Sequence, residues 1–205
     1  MRAKPFLHRI DADLFIWQVF DRHVQADLTS TAVAVAAGFY LIDPIPLQPE
    51  ELDSILGPTK VAGIIVTNGN HGRGAVEIAE RFNVQVYTQQ EGRAAASLPA
   101  GVDISDGHMI SHELKVLSVD GAAPGEVALY CNRGAGTMIM GDALINFGAH
   151  RFSFLPPKYC SNAKRMRRSL EKLLDYRFER ILFAHGDPIL ANGRQRLADL
   201  LHEKP

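Results

Sequence analysis

The chain has 205 residues, of which 46% are hydrophobic, and its formal net charge is −1. This size and composition suffice for one sizeable core, so we expect a single domain over residues 1–205. The near-neutral charge argues against a polyanionic partner such as nucleic acid. The two cysteines, Cys131 and Cys160, are too few for a disulfide framework and favour a cytoplasmic location.

The first half of the chain alternates strand-like and helix-like segments. Residues 5–20 and 32–42 are rich in β-branched and aromatic residues, and Asp43-Pro44 ends the second run. That run is only about half as long as a segment that spans a bilayer, so we expect a buried strand pair and no membrane segment. The pattern then predicts a helix over 49–56, a strand over 61–66, a helix over 75–82 and a strand over 84–87.

The second half predicts four more strands, over 102–110, 113–119, 126–131 and 137–140. An irregular aromatic loop follows over 143–161, and then a helix over 162–176, a strand over 180–184 and a helix over 193–202. No linker or low-complexity segment interrupts the chain. Strands that alternate with helices in this way indicate an α/β or α+β fold, with two packed sheets and helices on the outer faces.

The most informative segment is Ile64–Gly74, with the sequence IIVTNGNHGRG. A β-branched strand runs into a polar turn, and a helical pattern begins at Ala75. This context resembles the place where the metallo-β-lactamase superfamily carries the motif T-H-x-H-x-D-H. Thr67 matches that motif, whereas Asn68 and Asn70 stand at two histidine positions and Arg73 stands at the third.

Four further segments resemble landmarks of the same superfamily, in the same order along the chain. The resemblance implies a four-layer αββα sandwich with seven ligand positions, of which only an aspartate and a histidine are kept. The four landmarks are FYLIDP at 39–44, SVDGAAPGEVALY at 118–130, MIMGDALI at 138–145 and FAHGDPIL at 183–190. The seven positions are Asn68, Asn70, Gly72, Arg73, Ala122, Asp142 and His185.

The resemblance implies a metal-dependent hydrolase with an atypical site that holds at most one metal. Asn68, Asn70 and Ala122 are not zinc ligands, so the first metal position of the family should be vacant. Asp142 and His185 are the candidate catalytic residues, and His71 is the candidate third ligand of one divalent metal such as zinc. The bond that is hydrolysed, whether ester, thioester, amide or phosphoester, and the small-molecule substrate are left open.

A metal-free protein is the alternative hypothesis. Arg73 stands at a lost ligand position, and its guanidinium would replace the metal by pairing with Asp142. Asn68, Asn70 and Arg73 are the candidate pocket-lining residues. The metal-free protein would be a pseudoenzyme or binding module that keeps the cleft, and His71 would be an ordinary exposed turn residue. A homo-oligomer assembled through the aromatic loop is a third alternative.

Overall fold

The structure, a computed structural model, describes residues 6–22, 24–147 and 151–203. Pro5 and residues 148–150, which fall in predicted elements, lie outside the described residues. The strands are β1 Phe6–Asp11, β2 Leu14–Asp21, β3 Ala26–Val35, β4 Gly38–Ile42, β5 Val61–Ile65, β6 Val86–Thr88, β7 Val102–Asp103, β8 Met109–Ser111, β9 Leu114–Ser118, β10 Val127–Cys131, β11 Thr137–Met140, β12 Leu144–Phe147, β13 Arg151–Phe154 and β14 Arg180–Phe183. The helices are α1 Pro49–Leu56, α2 Ala75–Phe82, α3 Gln90–Ala95, α4 Ala163–Glu171 and α5 Gly193–His202, with 3₁₀ turns at Pro157–Tyr159 and Lys172–Asp175.

Two sheets form the centre of the fold. The first has seven strands in the order β1-β2-β3-β4-β5-β6-β7, antiparallel up to β4 and parallel from β4 to β7. The second has five strands in the order β14-β11-β10-β9-β8, and its β11 and β14 are parallel. Strands β12 and β13 form a separate two-stranded hairpin.

Alternation along the strands divides the core into three layers. Ile65 and Leu129 belong to the cluster between the sheets, whereas the neighbouring Ile64 packs with helices α1 and α2 on the outer face of the first sheet. Met138 packs with helices α4 and α5 on the outer face of the second sheet. These three apolar clusters separate four layers of secondary structure in the order helix, sheet, sheet, helix, and the predicted αββα fold is confirmed.

Local sequence signals explain where the helices begin and end. Pro49 opens α1 behind a capping box between Gln48 and Glu51, and Asn83 ends α2 in the left-handed conformation. The predicted bounds of α1, α2 and α5 agree with the structure. None of the helices within the described part of the chain is long and apolar enough to cross a membrane.

Two predicted elements are wrong, and one helix was not predicted. The loop predicted over 143–161 contains the β12–β13 hairpin, because Phe152 and Phe154 alternate along a strand that pairs with Leu144–Phe147. The strand predicted over 102–110 is broken into β7 and β8. Helix α3 was not predicted, because Gln90–Ala95 is short and lacks an apolar face.

Candidate metal centre

Three side chains that are distant in sequence meet at one end of the two sheets. His71 lies in the turn after β5, Asp142 follows β11, and His185 follows β14. The His71 Nε2 atom lies 3.0 Å from Asp142 Oδ1 and 3.3 Å from His185 Nε2, and His185 Nε2 lies 3.2 Å from Asp142 Oδ1. The structure therefore brings His71 of the 67–74 segment together with Asp142 and His185.

The topology explains this convergence. Because β11 and β14 are parallel neighbours, Asp142 and His185 leave the same edge of the second sheet. The turn after β5 comes from the first sheet, where the His71 N–H donates to the Asn68 carbonyl at 3.1 Å and turns the chain back. His71 is only 2% exposed, so it is not the exposed turn residue of the alternative hypothesis.

Asp43 is a second buried carboxylate that sequence reasoning missed. Its Oδ2 lies 2.8 Å from His71 Nδ1, and its Oδ1 accepts from the Thr67 N–H at 2.8 Å. The Thr67 hydroxyl also donates to Asp43 Oδ2, at 2.5 Å. The Asp-Pro landmark contained Asp43, but its position at the end of a buried strand was the only sign of a site role.

His71 therefore lies between two carboxylates, with one at each ring nitrogen. Burial alone would lower the pKa of His71, but Asp142 and Asp43 raise it to about 9. Burial would raise the pKa of Asp142, but His71 and His185 hold it well below its ordinary value. Burial lowers the pKa of His185, against the opposing effect of Asp142. Without a metal, a protonated His71 satisfies both carboxylates.

Arg73 has different partners from those predicted. Its Nη1 donates to the carbonyls of Thr29 at 2.9 Å and Asp43 at 3.1 Å, and its Nη2 donates to the carbonyl of Ala184 at 3.4 Å. The close partners of Asp142 are instead His71, His185 and the Asn70 amide. The predicted direct pair between Arg73 and Asp142 is wrong, because main-chain carbonyls occupy the donors of the guanidinium. Arg73 acts on Asp142 only as a nearby charge.

The two asparagines at lost histidine positions differ in exposure. Asn68 is fully buried, and its Nδ2 donates to Glu126 Oε2 at 2.7 Å. Asn70 is exposed, and its Nδ2 donates to Asp142 Oδ2 at 3.0 Å. Ala122, the third residue of the family's first metal position, packs in the apolar cluster beneath α4 and α5.

Glu126 is a buried acid beside the site that sequence reasoning also missed. Burial and the nearby Asp142 raise the pKa of Glu126 to about 8. Its only sequence signal was a carboxylate directly before the apolar strand β10.

The comparison with family models gives a match to the metallo-β-lactamase superfamily over residues 5–203. The chain belongs to this superfamily. The comparison with curated proteins gives no match.

Solved structures share the metallo-β-lactamase fold at low sequence identity. A metallo-β-lactamase from Pontibacter korlensis superposes with a TM-score of 0.78 at 16% identity, covering 98% of this chain and 100% of that one. One from Erythrobacter litoralis gives 0.78 at 12% identity, with 98% and 97% covered. A metallo-β-lactamase family protein from Thermus thermophilus gives 0.72 at 19% identity, with 94% and 79% covered.

Members of the superfamily typically bind divalent metals, and the geometry of this chain fits one such ion. His71, Asp142 and His185 offer ligand atoms that all lie within 4.8 Å of one another. Zinc bonds of about 2.0–2.2 Å in a tetrahedral arrangement separate ligand atoms by about 3.3–3.5 Å, only slightly more than the spacing here. Asp43 also holds Nδ1 of His71, which is how proteins orient a metal-binding histidine.

Proposed function

We propose that this protein is a hydrolase whose site holds one divalent metal, zinc in the first instance, on His71, Asp142 and His185. The observation that carries the proposal is the mutual approach of three ligand atoms, at 3.0 to 3.3 Å, from three separate segments. Two nitrogens and one carboxylate oxygen, with the remaining position open, form a recognised catalytic ligand set.

The surrounding residues have defined tasks in this proposal. Asp43 accepts a hydrogen bond from His71 Nδ1–H, which leaves Nε2 free as a ligand. Asn70 donates to Asp142 Oδ2 and thereby leaves Oδ1 directed at both histidines. A bound metal would supply an activated water and would polarise the carbonyl or phosphoryl oxygen of the substrate. The substrate we propose is a small molecule with an ester, thioester, amide or phosphoester bond.

A single metal also fits the electrostatics better than two metals. Arg73 is a permanent cation near Asp142, and its position is fixed by three carbonyls. The family's other metal position offers Asn68, whose amide is engaged by Glu126, and Ala122, which has no donor. These features support a mononuclear site and argue against two-metal lactam hydrolysis.

The alternative function is a metal-free binding module that keeps the fold. The observation in its favour is the position of His71 between Asp43 and Asp142, where a protonated imidazole would satisfy both carboxylates without any metal. Under this alternative the cleft would bind a small molecule without hydrolysing it. In both cases we propose a cytoplasmic protein, consistent with the unpaired Cys131 and Cys160.

Metal binding distinguishes the two functions. We would purify the protein without added metal, measure its metal content, and titrate it with Zn²⁺ and Co²⁺ against a chromophoric chelator. His71→Ala and His185→Ala should each weaken binding by more than the roughly 10–100-fold that loss of an outer hydrogen-bond partner costs. His112→Ala, on an exposed turn, is the matched control and should bind as tightly as the wild type.

The loaded protein would then be assayed against thioesters, phosphodiesters, esters and a lactam. Turnover of any class that is lost in His185→Ala and kept in His112→Ala supports the hydrolase. A folded wild-type protein that binds neither Zn²⁺ nor Co²⁺ between pH 7 and pH 9 would contradict it and would favour the metal-free module.

A further inference from the structure

Glu126 is a buried acid that lies outside the ligand set and is only 3% exposed. It precedes β10, and both of its carboxylate oxygens accept hydrogen bonds. Oε1 accepts from the main-chain N–H of Ala143 at 2.9 Å, and Oε2 accepts from the Asn68 side-chain amide at 2.7 Å. One carboxylate therefore joins the turn after β5 to the segment that follows β11.

Each of these partners leads directly to Asp142. Ala143 is its neighbour in the chain. On the other side, Asn68 Oδ1 accepts from the Asn70 N–H at 2.8 Å, and Asn70 Nδ2 donates to Asp142 Oδ2 at 3.0 Å. Glu126 thus reaches the Asp142 backbone through one partner and the Asp142 carboxylate through the other.

The packing around this network leaves little freedom for it to rearrange. A Cβ atom placed on Gly141 would lie 2.6 Å from Glu126 Oε1, 2.7 Å from Thr67 Oγ1 and 3.1 Å from Asn68 Nδ2. All three distances are closer than ordinary van der Waals contact. Only glycine fits at position 141, so the chain before Asp142 lies directly against the polar groups.

We propose that Glu126 and Asn68 form a clamp that positions Asp142 and the 67–71 turn for metal binding. Asn68 stands at a ligand position of the family motif. Its hydrogen bond to Glu126 therefore stabilises the turn that a bound metal would stabilise in relatives with the full motif. Glu126 is a positioning residue in this role, because it acts through Asn68, Asn70 and Ala143. The consequence for metal binding rests on the proposed function, whereas the positioning of Asp142 does not.

Exchanging the two partners tests the clamp. Above the Glu126 pKa of about 8, Glu126→Gln places a donor against a donor, at either Asn68 or Ala143, and Asn68→Asp places two carboxylates together. The double variant restores one donor and one acceptor with the direction reversed and the net charge unchanged. Glu113→Gln, which alters a half-exposed pair with Arg133 far from the site, is the matched control.

Each single variant should weaken Co²⁺ affinity by about 10–100-fold, the effect of losing an outer partner of a metal site. The double variant should return to within about twofold of the wild type, as should Glu113→Gln. If the singles lower the melting temperature and leave the Co²⁺ affinity and spectrum unchanged, Glu126 is only structural and the proposal is overturned. If the singles do not fold, a double variant that folds without regaining the affinity overturns it as well.

A second measurement separates this inference from the proposed function. In metal-free protein, the imidazole ¹⁵N shifts of His185 report the position of Asp142, whose Oδ1 lies 3.2 Å from His185 Nε2. They should move in each single variant and return in the double variant, even if the wild type binds no metal. Failure of metal binding alone would then refute the hydrolase and leave the clamp supported, whereas unmoved imidazole shifts would refute the clamp.

Discussion

Asp43→Asn is the substitution that most sharply tests His71 as a ligand. Asp43 Oδ1 accepts from the Thr67 N–H, so the retained oxygen of an asparagine would stay at that position. The new amide nitrogen would then face His71 Nδ1, which lies 2.8 Å from Asp43 Oδ2. An amide nitrogen donates where the carboxylate oxygen accepted, so His71 Nδ1 must accept a hydrogen bond instead of donating one.

The reversal changes the tautomer of His71. A neutral His71 that accepts at Nδ1 carries its proton on Nε2, the atom that faces Asp142 and His185. The Nε2 proton must leave in the wild type as well, but there Nδ1–H still donates to Asp43, whereas in the variant Nδ1–H would meet the amide nitrogen once Nε2 binds a metal. We expect metal affinity to fall by about 10–100-fold, which is about 1.4–2.8 kcal/mol. Loss of a charge-assisted hydrogen bond should also cost the metal-free protein about 1.5–3 kcal/mol of unfolding free energy.

The assay is a competition titration of Zn²⁺ or Co²⁺ at pH 7, together with thermal unfolding of the metal-free protein. Asp53→Asn is the matched control, since Asp53 pairs with Arg81 on the surface with 60% of its side chain exposed. This control should change neither quantity beyond a few tenths of a kcal/mol. A folded Asp43→Asn protein with wild-type metal affinity would refute the assignment of His71 as a ligand oriented by Asp43.

Three further predictions follow from the same geometry. Arg73→Met should lower the unfolding free energy by roughly 3 kcal/mol, since up to three carbonyls lose a charged donor; urea denaturation measures this, and a neutral effect would contradict it. In metal-free protein, the folded pKa of His71 is about 9 against an ordinary 6.5, so its contribution to stability is complete below 6.5 and is lost as the pH rises through 9. The wild-type free energy of unfolding should fall as the pH rises from 6.5 to 9, and His71→Gln should abolish this pH dependence. An unchanged dependence would contradict the raised pKa of His71. Gly141→Ala should destabilise the fold by about 1–3 kcal/mol because its Cβ would meet Glu126 at 2.6 Å. Gly72→Ala, whose nearest contact would be 3.4 Å, is the control and should be nearly neutral, so equal losses in the two variants would contradict the packing argument.

The sequence predicted the scaffold because the scaffold depends on local patterns and on chain order. The ends of β4, β5, β11 and β14 follow short β-branched or aromatic runs that stop at a polar residue. Once the family order was recognised, the convergence of Asp142 and His185 followed from strand topology alone. The β12–β13 hairpin escaped prediction because its aromatic residues and the prolines after them are equally typical of an irregular loop.

The partners of the charged residues were harder to predict, because they depend on side-chain direction in the folded chain. Motif alignment placed Arg73 at a ligand position and therefore suggested a contact with Asp142. In the structure Arg73 has a φ of +32°, and its side chain reaches carbonyls of both sheets. His71 stood at a variable motif position, yet it is the residue that contacts Asp142. Sequence spacing cannot specify whether Arg73 or His71 contacts Asp142, since both residues lie in the same polar turn.

The two functional hypotheses differ in what neutralises the buried carboxylates Asp43 and Asp142. In the metal-free state, the two carboxylates face two cations, Arg73 and a protonated His71, so the charges balance. Metal binding through His71 Nε2 requires that one proton leaves, and a divalent ion then replaces a single charge. Protons and metal therefore compete for the same atom, and metal affinity should rise with pH up to about 9, the pKa of His71. The hydrolase therefore requires a metal that displaces the proton held by His71, and the binding module is the state in which that proton stays.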